Sequence, residues 1–441
     1  MSEQALVVVA EFKVRPGQMD AFLPLLEQHA RNSRAHEPGC LQFDVVRDGT
    51  DPDRAFVYEV YRDEAAFEEH KKAPYLAAFR ERADPLLLER KVSVHRRVAA
   101  PGPGRPRRVL VAAVHLKGRE RLLQPLLEAG LELVWNPYDR PLAEEELVRL
   151  LPGCVASIAG QEPYTERVFA AAPGLEVVAR LGVGWDSVDV AAATRHGVAV
   201  AMAFGTNHEA VADHAFALMA ALAHAIPRYD RLVRAGEWKL LDHGRLTGTT
   251  VGIVGFGRIG RALAKRCQGF AMEVLVSDPY VDAEAVARLG HSVVPLDELF
   301  ARADFVSLHA PLTPETRRLV DARRLSLMKP SAFLINTARG GLVDEAALVE
   351  ALRAGRIAGA GLDVMAVEPL PLDSPLRTLP NVVLTPHAAG ASTWAIETMA
   401  ARTVANVLAV LRGQDPGGGL VLNPEVLERR AASRAGAILR G

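Results

Sequence analysis

The sequence predicts an α/β chain whose two lobes are built on doubly wound parallel sheets, preceded by a small ferredoxin-like α+β domain. Three observations carry this expectation. From residue 108 onward, short apolar stretches alternate with helical stretches of ten or more residues, as in parallel strands joined by crossover helices. One such unit, 250–278, holds a glycine-rich turn between strand and helix. Before residue 98 the elements run β-α-β-β-α-β instead, which is the ferredoxin-like order.

In chain order, 6–14 reads as a strand, and 18–35 as a helix with Met19, Phe22, Leu23, Leu26 and Ala30 on one face. Strands at 41–47 and 55–61 flank the turn signal Asp48-Gly49-Thr50-Asp51-Pro52. Helical stretches at 64–70 and 75–83 follow, then a last strand at 87–98. The Pro-, Gly- and Arg-rich run APGPGRPRR breaks this pattern and reads as a linker.

Beyond the linker, strands are expected at 108–114, 132–135, 154–159 and 175–180, and later at 304–309, 332–336, 359–363 and 381–384. The most apolar helix, near 215–226, is about 12 residues long and contains His224, too short for a bilayer and suited to a core. A long helix at 392–412 follows the second lobe and is placed to return to the first. The division that results is 1–98, a linker at 99–107, a first lobe at 108–206, a nucleotide lobe at 207–388, a returning segment at 389–425 and a tail at 426–441.

Composition narrows the classes. A net charge of −1 gives no electrostatic case for nucleic acid or an anionic membrane. Cys40, Cys154 and Cys267 are odd in number and lack metal-ligand spacing, so no metal site and a reducing, cytoplasmic setting are expected. The N-terminal residues MSEQALVVVAEF alternate too early for a signal peptide.

The unit at 250–278 carries the most chemistry. Gly255 lets the chain turn tightly out of the strand, Gly257 lets backbone approach a pyrophosphate, and Gly260 lets the helix pack close to the sheet. The helix start at Arg258 and Ile259 offers unpaired N–H groups to phosphates. Asp278, 18 residues after Gly260, ends the second strand where a carboxylate bonds ribose hydroxyls. A carboxylate there repels a 2′-phosphate, and Pro279 and Tyr280 follow rather than arginine, which favours NAD over NADP.

Many ordered blocks across 108–425 carry a resemblance. They include ARLGVGWDSVDVAAATRHGVAV, GTNHEAVADHAFALMAAL, GIVGFGRIG, LHAPLTPETRRLV, LINTARGGLVDEAAL, GAGLDVMAVEPL and LTPHAAGAST. The region resembles the D-2-hydroxyacid dehydrogenases, including phosphoglycerate dehydrogenase-like members. That resemblance implies a Rossmann NAD lobe inserted in a discontinuous, flavodoxin-like substrate lobe. It further implies a homodimer or higher homo-oligomer acting on a small 2-hydroxy or 2-keto acid.

It also assigns roles that spacing alone leaves open. Arg339, in NTARG, falls where the family grips the substrate carboxylate and carbonyl, and a guanidinium suits that bidentate task. His387 matches the acid/base of the PH-x-x-G setting, since hydride loss from an alcohol needs a base and the reverse reaction an acid. Glu368, in AVEPL, is implied to bond the other imidazole nitrogen. Gly182, Val183 and Gly184 form a turn whose N–H groups can take the substrate carboxylate. His309, Ala310 and Pro311 fall beside the adenosine, and Thr337, Ala338, Asp363 and His387 beside the nicotinamide. Asn207 and Val211 fall near the lobe hinge, and Asp213, on a helix expected to face the cleft, stands where many relatives carry Glu. Trp394 is a candidate pocket or helix-core residue.

Two departures bear on substrate. The turn IAGQEP at 158–163 lacks the basic residue that phosphoglycerate-oxidising relatives often present, and little chain follows the returning helix for a regulatory domain.

The N-terminal unit resembles the antibiotic biosynthesis monooxygenases (ABM), on VAEFKVRPGQMDAF, EPGCLQFDV, FVYEVYRDEAAFEEH and APYLAAF. That family's domains are usually dimeric, and some oxidise quinol-type substrates without a bound cofactor. His29, Asn32, His36, Tyr58 and His70 are its polar candidates, read as surface or interface residues. The leading expectation is therefore an NAD-dependent oxidoreductase of D-2-hydroxy acids. The alternatives are a non-catalytic NAD(H)-responsive binding protein, and a bifunctional chain whose ABM-like domain is a monooxygenase.

Overall fold

The computed structural model describes residues 5–96 and 107–438, with side chains placed through residue 432. Residues 97 and 98 of the expected strand and most of the expected linker lie outside this range. The chain separates into two compact units, Met1–Arg105 and Pro106–Gly441.

In the first unit, strands β1 (Leu6–Val14), β2 (Cys40–Arg47), β3 (Arg54–Tyr61) and β4 (Leu87–Arg96) form one sheet in the order β2-β3-β1-β4. β1 pairs antiparallel with both β3 and β4. Helix Met19–His36 buries Met19, Phe22, Leu26, His29, Ala30 and Ser33. That spacing of three and four residues puts them on one face, against Phe12, Phe43 and Val57 of the sheet. The ferredoxin-like expectation agrees with this topology.

The second unit holds two parallel sheets. β5 (Arg108–Val111), β6 (Glu132–Trp135), β7 (Cys154–Ala159), β8 (Val177–Arg180) and β9 (Ala199–Ala201) lie in the order β6-β5-β7-β8-β9. The other sheet runs β12-β11-β10-β13-β14-β15-β16. Its strands are β10 (Thr250–Val254), β11 (Glu273–Ser277), β12 (Ser292–Val293), β13 (Phe305–Leu308), β14 (Phe333–Asn336), β15 (Gly359–Leu362) and β16 (Val382–Leu384). In each sheet the order reverses beside the first strand, which makes the switch-point crevice where doubly wound sheets bind ligands.

The discontinuous first lobe is visible in its packing. Helix Thr393–Leu411 returns from the nucleotide lobe and buries Met399, Ala400, Val404 and Val407 in one cluster with Val177 and Ala179 of β8. Asn423 then ties the chain down, accepting from the Val200 N–H at 2.9 Å and donating to the Val198 carbonyl at 2.9 Å.

The structure corrects several boundaries. The strand expected at 108–114 ends at Val111, and a 3-10 turn, Val114–Leu116, follows after two intervening residues. The apolar helix expected near 215–226 runs instead from His208 to Ala223. It stops because Ala225 takes a left-handed conformation, with φ 52°, before a second helix, Ile226–Arg234. Among the described residues, helix Thr393–Leu411 is long and apolar enough to cross a membrane by composition, yet most of that stretch is buried in the first lobe. Residues read only as a tail form helix Glu425–Ile438, which buries Val426 and Leu427 in the first lobe's core.

Candidate active site

The glycine turn has the geometry its spacing predicts. Gly255 has φ 92°, and a Cβ there would stand 2.8 Å from the Ala310 nitrogen, so the turn packs directly on the end of β13. At Gly260 a Cβ would meet the Gly255 carbonyl oxygen at 2.3 Å, which is the close helix–strand approach. Gly257 has open space and caps helix Arg258–Gly269 without a side-chain bond, leaving its first N–H groups available to an anion. Asp278 holds this turn from β11, accepting from the Phe256 N–H at 2.7 Å and the Tyr280 N–H at 2.8 Å. Arg258 and Ile259 open the helix; the Arg258 guanidinium lies against Gly205, where a Cβ would stand 2.6 Å from its Nη1.

Two buried polar atoms along this crevice have no partner among the described residues, Thr337 Oγ1 and His309 Nδ1. Burial holds His309 down at about 4, so its imidazole is neutral, and its Nε2 shares a hydrogen bond with Ser307 at 2.8 Å. Open N–H groups, an acid at the second strand and unused polar atoms fit a bound dinucleotide. Ala310 and Pro311 continue from His309, and Ala338 donates its N–H to Asn336 Oδ1 at 3.1 Å.

His387 and Glu368 come together across 19 residues of sequence. Glu368 Oε2 is 2.7 Å from His387 Nδ1, and Glu368 Oε1 accepts from the Met365 N–H at 3.0 Å. Burial alone would raise the Glu368 carboxyl. The hydrogen bond and charge of His387, the Met365 N–H and Arg339 outweigh it and hold the group below its ordinary value. With Nδ1 committed to a carboxylate, the Nε2 face of the ring is left for a substrate.

The backbone at His387 lies in the left-handed region, with φ 55°, which a non-glycine residue adopts only when its surroundings enforce it. Asp363 is the chief enforcer. Its fully buried carboxylate accepts from Thr385 Oγ1 at 2.6 Å, the Ala388 N–H at 2.8 Å and the Ala389 N–H at 2.9 Å. His387 N–H in turn donates to the Asp363 carbonyl at 2.8 Å. Both Asp363 oxygens are thus engaged in shaping the loop that carries His387.

Arg339 follows β14 and lies against the glycine turn after β8, where a Cβ on Gly184 would fall 1.4 Å from its Nη2. Its Nε donates to Asp186 at 2.5 Å, and its Nη1 to the Ala338 carbonyl at 2.6 Å. Gly182, with φ 154°, Val183 and Gly184 therefore share one site with Arg339, at the carboxyl ends of β8 and β14. Asn207 caps helix His208–Ala223 from the hinge, with its amide 3.1 Å from where a Gly390 Cβ would stand, so the two crossings between lobes touch. Val211 is buried.

Other candidates fall elsewhere. Asp213 carries an exposed carboxylate that pairs with Arg266 at 2.6 Å. Trp394 is half exposed at the start of the returning helix, so it is not a helix-core residue. In the turn at 158–163, Glu162 is buried and accepts from the Gly160 N–H at 2.6 Å. Asp186, Glu162, Arg180 and His214, which bonds Thr385 at 2.9 Å, were not singled out from sequence. Asp186 lies two residues past the glycine turn, the one signal that could have drawn attention to it.

In the N-terminal unit, His29 and His70 are buried rather than surface residues. Glu37, missed from sequence, takes His70 Nδ1 at 2.9 Å and the Tyr75 hydroxyl. His29 stacks on Phe79 at 4.8 Å, and burial holds it down at about 4. His36 is exposed and bonds the Asn32 carbonyl, Asn32 pairs with Gln28, and Tyr58 is half-buried on β3. Among the described residues no group of three or more His, Cys, Asp or Glu could hold a metal.

Comparison with known proteins bears on both units. Residues 216–389 match the NAD-binding domain of D-isomer specific 2-hydroxyacid dehydrogenases, and residues 5–82 match the antibiotic biosynthesis monooxygenase family. The chain is 40% identical over 329 residues to a glyoxylate reductase of Korarchaeum cryptofilum, covering 71% of this chain and 98% of that protein. It is 47% identical over 268 residues to a D-3-phosphoglycerate dehydrogenase of Mycobacterium tuberculosis, but spans only 50% of that longer relative and 59% of itself. Among solved structures, the TT0316 protein of Thermus thermophilus is similar with a TM-score of 0.64 and 41% identity, over 70% of this chain and 98% of that one.

Proposed function

The chain belongs to the D-isomer specific 2-hydroxyacid dehydrogenases, NAD-dependent oxidoreductases of the CH–OH group, and from that premise we propose that it reduces a small 2-keto acid of the glyoxylate class to the 2-hydroxy acid. The observation that carries this reading is the Glu368–His387 pair at 2.7 Å, in the same unit as Arg339 on the Gly182–Gly184 turn.

In this mechanism the turn and Arg339 hold the substrate carboxylate, and Arg339 also polarises the C2 carbonyl. C2 would accept a hydride that NADH, when bound, would supply. The Nε2–H of protonated His387 gives its proton to the forming alkoxide, and Glu368 stabilises the imidazolium before that transfer and fixes the ring's tautomer after it. In the oxidation direction the same nitrogen removes the hydroxyl proton. Gly255, Gly257, Gly260, Asp278 and Thr337 would hold the cofactor.

Two observations favour a small, unphosphorylated substrate. The glyoxylate reductase relative is matched over nearly its whole length and the phosphoglycerate dehydrogenase over half. The turn at 158–163 presents a buried acid in place of a cation for a phosphate. We also propose a homodimer, supported by Trp238 and Leu240, which are 91% and 93% exposed on the segment after helix Ile226–Arg234. NADH consumption with glyoxylate, hydroxypyruvate and 3-phosphohydroxypyruvate tests the assignment. Turnover favouring the unphosphorylated acids supports it, and preference for the phosphorylated one overturns the substrate class.

A further inference from the structure

Arg180 closes β8 with a buried side chain, only 6% exposed, directly beneath the glycine turn. Its Nε donates to the Gly184 carbonyl at 2.9 Å, so the guanidinium pins the far end of the turn back onto the strand that begins it. A second tie holds the near end, where the Gly182 carbonyl accepts from the Ala203 N–H at 3.1 Å. A trans peptide is planar, with its C=O and N–H pointing opposite ways. Drawing back the carbonyls of Gly182 and Gly184 therefore turns the N–H groups of Val183 and Trp185 outward. No backbone hydrogen bond among the described residues uses the N–H of residues 182–185.

Charges of both signs act on Arg180. Glu162, 1% exposed, is the strongest favourable charge acting on it, and Arg339 is the cation that opposes it. Arg180 Nη1 is buried without a partner among the described residues. Burying a guanidinium with an unused N–H is unfavourable, and a neutral side chain would serve a merely structural bond better. A positive charge under an anion-binding turn gives that arrangement a use.

We propose that Arg180 is a positioning residue for the substrate carboxylate, aiming the N–H groups of the 182–185 turn into the cleft and adding a second positive charge beneath it. This rests on the keto-acid reading above. The probes are Arg180→Lys, which keeps the charge but not the fork, and Arg180→Gln, which is neutral and of similar reach. Each is compared with the full-length wild type for NADH affinity, KM for glyoxylate, and oxalate affinity of the NADH complex.

Either variant is expected to raise the glyoxylate KM and weaken oxalate about tenfold or more, the size of a lost charge-assisted hydrogen bond, with NADH affinity changed less than twofold. Unchanged oxalate affinity in a variant that folds and binds NADH overturns the proposal. Equal losses for NADH and oxalate overturn it too, because they would mark Arg180 as structural. If Arg180→Lys fails to fold, Arg180→Gln gives the same readout. Wild-type inactivity toward every keto acid would overturn the reduction reading alone, because oxalate affinity still reports on Arg180.

Discussion

His387→Ala is expected to lower kcat about 10²- to 10⁴-fold, the usual size of a general acid/base contribution, and to leave NADH affinity within twofold. Single-turnover reduction and fluorescence titration with NADH separate those two effects. Equal loss of both would mark the imidazole as structural. Glu368 adds a pH signature. Its carboxyl lies below its ordinary value of 4.5, so its contribution to stability is present above that value and is lost as pH falls through the lowered one. Acid unfolding of Glu368→Gln should lack that component, and identical acid limbs in the two proteins would contradict it. Asp278→Asn should keep the turn yet remove the charge that repels a 2′-phosphate, raising kcat/KM for NADPH relative to NADH by about tenfold. An unchanged ratio would remove Asp278 from cofactor choice. At this scale the sequence was readable only where a local pattern exists. The glycines and Asp278 follow from spacing, but Glu368 and His387 meet only through the fold and were legible by resemblance alone. Arg180 and Asp186 escaped notice because their partners lie on the turn's backbone and on Arg339, 153 residues away from Asp186.

Among the elements, the β10–helix junction is the most constrained. Gly260→Ala places a Cβ 2.3 Å from the Gly255 carbonyl oxygen, so the helix must shift outward. The expected result is a destabilisation of about 1–3 kcal/mol with weakened NADH binding, read by denaturant unfolding and fluorescence. Unchanged values for both would show that the helix has room. In the first unit, burial pushes Glu59 on β3 up to about 7, where it accepts the Tyr61 hydroxyl at 2.8 Å. A raised carboxyl stabilises fully below its ordinary value of 4.5, and that stability is lost as pH rises through about 7. Amide exchange across residues 6–96 should therefore quicken between pH 5 and pH 8 beyond its intrinsic pH trend in the wild type, but not in Glu59→Gln; equal quickening in both would contradict this. The strands β1, β6 and β7 were legible to within a residue. β12, of two residues, was not, because a run of two carries no periodicity, and the three-residue β9 was not among the expected strands either. The helix after the hinge was misplaced because no residue type signals the left-handed Ala225 that ends it.

For the molecule as a whole, two-unit organisation and the inserted nucleotide lobe follow from element order, since the returning helix at 393–411, with Val421, Val426 and Leu427 after it, completes the first sheet's core. Association is the least legible property, because it depends on which apolar side chains remain uncovered after folding. Sedimentation at micromolar concentration should give twice the chain mass, and the double substitution Trp238→Ala, Leu240→Ala should shift it toward the monomer; an unchanged mass would move the interface elsewhere. The central claim is that one cleft joins an NAD-binding turn to a carboxylate grip and a His387–Glu368 proton donor. Its most direct test is NADH oxidation at 340 nm with glyoxylate, comparing wild type, His387→Ala and Arg339→Gln. Rapid turnover by the wild type is expected, with a loss mainly in kcat for His387→Ala and both a lower kcat and a higher KM for Arg339→Gln. Tight NADH binding with no turnover of glyoxylate or any other 2-keto acid by the wild type would contradict it.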